Sequence, residues 1–83
     1  MARVQVVNEV SEGIANDWVL CLQWCRYLYD DGNMERGYRF IWRRPNGNLQ
    51  GARGQARIPT LTIAKQLIDK AIKEGWGDYE GEY

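Results

Sequence analysis

The sequence predicts a two-layer α+β domain: an antiparallel β-sheet of three to four strands with a C-terminal α-helix packed across one face. Two observations carry that prediction. Residues 61–74 hold one apolar stripe, Ala64, Leu67, Ile68, Ala71 and Ile72, at the i, i+3, i+4, i+7, i+8 spacing of a half-buried helix. Asn46-Gly47 stands between two strand-like runs, the strongest short-range signal for a hairpin. A helix with a single apolar stripe needs a sheet to lie on. The order is strand, strand, strand, strand, helix; the alternative β-α-β-β-α makes the second element a helix.

Residues 3–9 (RVQVVNE) alternate as a strand, and 11–17 (SEGIAND) read as a turn or loop on composition. Residues 18–29 (WVLCLQWCRYLY) favour a strand. They are rich in Trp, Tyr, Val and Cys and lack Ala, Lys and Glu. Against this, Gln23, Arg26 and Asp30 form a polar stripe at helical spacing. Residues 30–37 (DDGNMERG) are a turn. The alternating Asp31, Asn33 and Glu35 lack the glycine and the bidentate Glu of a calcium loop.

The clearest strand covers residues 38–44 (YRFIWRR), and its hairpin partner spans 49–58. A two-residue turn pairs Arg44 with Leu49 and Trp42 with Gly51; a three-residue turn slips the register by one and exchanges the partner's faces. Thr60 caps the helix and Gly75 ends it, with Pro59 closing the last strand. Leu67, Ile68, Ala71 and Ile72 are expected to be mostly buried, and Trp76 to fold back on the core. Residues 1–77 form one domain and 78–83 an acidic, frayed tail.

The net charge of the 83 residues is zero, but it is unevenly distributed. Residues 1–35 carry two cations and six acids, and 69–83 two cations and five acids. The 33 residues between them, 36–68, carry Arg36, Arg39, Arg43, Arg44, Arg53, Arg57 and Lys65 without one acid. Arginine presents a planar fork of donors suited to phosphate or carboxylate. The expected contact surface is therefore the hairpin, through Arg39, Arg43, Arg44, Arg53, Arg57 and Trp42. The competing explanation is that the acidic ends satisfy these arginines within the chain.

The chain has no His, which removes His bases and His-containing metal sites. Ser11 is the only Ser and has no activating partner type. Cys21 and Cys25 are expected to be buried free thiols; two thiols do not complete a zinc shell. Gly51-Ala52-Arg53-Gly54 has the spacing of a backbone-clamping GxxG loop, but on a strand rather than between helices. No metal or cofactor motif is present, and no enzyme is expected. The run of 14 residues from Asp17 to Asp30 is too short to span a bilayer, and no signal-like N-terminal stretch stands out. These features predict a cytoplasmic, non-catalytic module, monomeric or weakly homodimeric, with nucleic acid or an acidic protein surface as partner. Three antiparallel strands then a helix, with Arg and Trp on the strands, resemble integrase arm-binding and ethylene-response-factor-type DNA-binding domains over residues 38–72. That resemblance implies a sheet inserted into the major groove.

Overall fold

The structure, a computed structural model, describes residues 3–50 and 56–76. Its elements are β1 (Arg3–Gly13), a 3-10 turn (Ala15–Asp17), β2 (Val19–Leu28), β3 (Met34–Arg43) and α1 (Leu61–Lys73). The three strands form one antiparallel sheet in the order β1-β2-β3, with α1 on one face. This is the expected two-layer α+β architecture. The second element is a strand, so β-α-β-β-α is excluded.

β1 runs four residues past its expected end. Ser11 and Glu12 pair with Cys21 and Leu20, and Lys70 of α1 reaches the Ser11 carbonyl at 2.8 Å and Glu12 at 2.6 Å. Tertiary pairing therefore overrides the turn-like composition of this stretch. The reversal falls at residues 14–18, where Ile14 N–H donates to the Trp18 carbonyl at 2.7 Å. Asn16 and Asp17 both take positive φ, 63° and 64°, a conformation that Asn and Asp tolerate better than most residues. β3 likewise begins at Met34, earlier than the expected 38, because its ladder with β2 continues to Leu28.

The expected strand at 49–58 is corrected at its C-terminal end, and its middle is not described. Among the described residues of this segment, Leu49 forms a bridge to Arg43, followed by a Gln50 N–H bond to the Trp42 carbonyl, and residues 56–58 are not strand; 51–55 lie outside the described residues. The turn contains three residues. Gly47 N–H donates to the Arg44 carbonyl and Arg44 N–H to the Asn48 carbonyl, both at 2.8 Å. Pro45 occupies the first central position of the tight turn, where its fixed φ fits, and Gly47 follows at φ 90°. Leu49 therefore faces Arg43, not Arg44. Beyond the turn, the Trp42 indole N–H donates to the Arg57 carbonyl at 2.8 Å, satisfying it without a strand partner.

Thr60 caps α1 through Ile63 N–H at 3.1 Å. At the other end, the Trp76 N–H bonds back to the Ala71 carbonyl and the indole is buried. Ala64, Leu67 and Ala71 enter a core with Leu20, Leu22 and Trp76. Ile68 and Ile72 do not; they are 44% and 56% exposed. α1 packs over β1 and β2. The β3 side of its stripe opens onto an apolar groove of about 400 Å³, walled by Tyr38, Phe40 and Trp76.

Leu67, fully buried, and Ile72, half-exposed, therefore separate two parts of one sequence stripe. Leu67→Ala is expected to destabilise by about 2–4 kcal/mol, because a cavity adds to lost transfer energy, and Ile72→Ala by under about 1 kcal/mol. Urea unfolding of both variants measures the contrast; equal losses would place α1 differently on the sheet.

Candidate functional site

Strand alternation gives the sheet two chemically different faces. Leu20, Leu22 and Trp24 of β2 pair with Trp42, Phe40 and Tyr38 of β3 and point toward α1. Trp24, Tyr38 and Trp76 form an aromatic cluster there, with ring centroids 6.2–6.4 Å apart. Cys21, Gln23 and Cys25 pair with Ile41, Arg39 and Gly37 on the opposite face, which no described element covers. Even so, Cys21 and Cys25 are 0% and Gln23 is 1% exposed.

Long side chains from the flanking strands supply the cover. Gln23 Nε2 donates to Glu9 of β1 at 2.7 Å, and its Oε1 accepts from Arg39 Nε of β3 at 2.8 Å. Glu9 also accepts from Arg43 Nη2 at 2.7 Å, and Arg43 Nη1 donates to the Gly47 carbonyl at 2.7 Å. A continuous chain, Arg39–Gln23–Glu9–Arg43–Gly47, thus crosses all three strands and reaches the hairpin turn. The Tyr27 ring lies over Gly37, where a β-carbon would sit 3.7 Å from it.

This arrangement sets the titration of its members. Burial pushes Glu9 up, but hydrogen bonds from Gln23 and Arg43, with the Arg43 charge, outweigh it and hold the carboxyl below its ordinary value. Burial raises both thiols, and the nearby Glu9 charge raises Cys21 further. The thiols are therefore protonated and weakly nucleophilic at neutral pH. Four residues apart on a strand, they are separated by ~13 Å, beyond disulfide reach.

The six residues singled out from sequence do not form one face. Arg39 and Arg43 lie on the helix-free side. Arg44 is exposed in the turn; Arg57 is exposed beside Trp42, on the α1 side. Arg53 lies outside the described residues. What Arg43, Arg44 and Arg57 share is the hairpin end of the sheet. Trp42 is half-buried, edge-on to Trp18 at 6.2 Å, with its N–H committed to the Arg57 carbonyl. It positions Arg57. Among the described residues, of Arg39, Arg43, Arg44 and Arg57 only Arg43 forms an ion pair, with Glu9. Gln23 and Glu9 were not anticipated; their signal was one polar residue on the same strand face as two small thiols, and one acid within the valine-rich stretch 3–10.

No group of three or more metal-ligating side chains occurs among the described residues, and no helix among them is long and apolar enough to cross a membrane. No family model matches the chain, and no curated protein or solved structure matches it.

A depressed carboxyl stabilises the fold above its unfolded pKa, about 4.3, and that contribution is lost as pH falls through the lower folded value. Urea unfolding between about pH 2.5 and 7 should show stability falling below about pH 4.5. Glu9→Gln should start lower at neutral pH and fall less steeply. Identical slopes would remove Glu9 from the acid response.

Proposed function

We propose that this chain is a small non-catalytic binding module whose Arg-rich hairpin end contacts an anionic partner, with nucleic acid the favoured class. The carrying observation is that Arg39, Arg44 and Arg57 have no ion-pair partner among the described residues, while Arg43 has one. Among the described residues a neutral amide, Gln23, rather than an acid orients Arg39, and a backbone carbonyl shares Arg43 with Glu9; the acids at 78, 80 and 82 lie outside those residues. Such fixing lowers the entropy lost when a guanidinium meets a phosphate.

The element order, three antiparallel strands then a helix, agrees with the DNA-binding domains named above. The strands lie at residues 3–43 rather than within 38–72, so the resemblance is one of architecture alone. The Arg43–Glu9 pair favours a second reading, a structural or protein-binding domain whose basic surface is partly self-satisfied. The absence of His and the protonated thiols favour a non-catalytic role.

Binding of duplex DNA, single-stranded RNA and an acidic peptide at about 50 and 200 mM salt separates these readings. Three to four phosphate contacts predict a loss of affinity of about 40- to 150-fold over that range. Arg44→Glu/Arg57→Glu, which leaves the Gln23 chain intact, should weaken nucleic-acid binding at least about tenfold and reduce the salt slope by roughly two. Absence of binding to all three at the lower salt would discard the proposal. Preference for the peptide would favour the protein-binding alternative.

A further inference from the structure

The outer edge of β1 is the most unusual exposed feature of the fold. β1 is 11 residues long, about twice a typical strand, and among the described residues no strand pairs with its far side. It contains neither Lys nor Pro, and Val4, Val6 and Val7 are each more than a third exposed. Proteins usually blunt such an edge, because its unpaired N–H and C=O groups recruit another strand. Its two acids are turned elsewhere: Glu9 into the Gln23–Arg43 chain and Glu12 onto Lys70. The opposite edge of the sheet is partly closed by the Leu49 bridge and the Gln50 bond.

We propose that β1 pairs antiparallel with β1 of a second copy of this chain, giving a six-stranded sheet with both helices on the same side. The register follows from one irregularity. The β1–β2 pairing shifts between Val6 and Asn8, so Val7 is an extra residue in the ladder. Arg3 and Glu12, nine positions apart, would lie on opposite faces of a regular strand. Because of the bulge both lie on the α1 side, opposite Leu28 and Leu20 of β2. Directly opposed residues in a two-fold pair must share a face. Overlapping residues 3–12 of both copies satisfies this: Arg3 faces Glu12, Val4 faces Ser11, Gln5 faces Val10 and Val6 faces Glu9.

Charge complementarity selects the same register. It places Arg3 of each copy against Glu12 of the other, twice, extending the Lys70–Glu12 pair. Shifting the two-fold pairing by two positions keeps the faces matched but separates Arg3 from Glu12. The symmetry also puts Arg39 and Arg43 of both copies on one continuous face.

Light scattering after size exclusion, from about 5 to 500 μM full-length chain, should show the mass rise from 9.7 kDa toward twice that value. In a mixture of isotope-labelled and unlabelled chains, cross-chain NOEs should join β1 to β1, including Arg3 to Glu12 and Gln5 to Val10. Val6→Lys, a charge of the kind that blunts natural edges, should raise the dissociation constant about tenfold or more, and Arg3→Glu should also raise it. Ile72→Asp, in the groove, should leave it unchanged. A mass of 9.7 kDa across the whole range, or cross-chain NOEs confined to the groove or the hairpin, would overturn the proposal. The wild-type NOEs decide the matter even if a variant fails to fold.

Discussion

The central strand governs the rest of the molecule. β2 is the central strand and residues on both its faces are buried, yet among the described residues one helix covers one of those faces. The two faces solve this differently. Leu20, Leu22 and Trp24 supply bulk where α1 lies. Cys21, Gln23 and Cys25 are short enough for Glu9, Arg39, Arg43 and Tyr27 to arch over them. A buried amide left without partners would cost about 1–3 kcal/mol, so Gln23 requires both Glu9 and Arg39. The polar chain is therefore the second layer of the sheet, assembled from side chains instead of a helix.

That origin explains why the basic groups have two roles. Arg43 carries a 34% exposed side chain and a partner that is 28% exposed, so the pair itself contributes only about 0–1 kcal/mol. Its larger structural effect is geometric: it shields Cys21 and ties the turn carbonyl of Gly47 to the sheet. Arg44 and Arg57 carry none of that burden. The hairpin end thus combines one guanidinium group fixed by the fold, that of Arg43, with two, those of Arg44 and Arg57, that no described side chain holds.

Much of the fold was legible because it depends on local patterning. The helix, its Thr60 cap and its return through Trp76 follow from residues within a few turns of one another. β2 was recoverable from β-branched, aromatic and thiol content despite a helix-spaced polar stripe. The missed features depend on distant partners. Nothing near Ser11 announces that Lys70 will hold it in a strand. Ile68 and Ile72 share a stripe with Leu67, and only the placement of α1 over β1 and β2 leaves them outside. The hairpin register was legible in principle, since Pro45 before Asn46-Gly47 selects the three-residue turn. The candidate site was partly legible: the arginines stand out by charge, whereas Glu9 and Gln23 acquire their role only through strand register.

The hairpin turn also bears on how the protein ages. Asn-Gly is the dipeptide most prone to lose its side-chain amide, because the glycine nitrogen readily attacks the asparagine carbonyl carbon to close a succinimide ring. Here the Gly47 nitrogen donates to the Arg44 carbonyl, and Asn46 Oδ1 accepts from the Asn48 N–H at 2.9 Å. The nucleophile's N–H is committed to the Arg44 carbonyl, so ring closure requires that bond to break first. Peptide mapping of stored samples should therefore show slower loss of the Asn46 amide in the folded chain than in the unfolded one. Each event would place a new carboxylate beside Arg43 and Arg44, so the Gly47–Arg44 hydrogen bond also guards the positive charge of the hairpin.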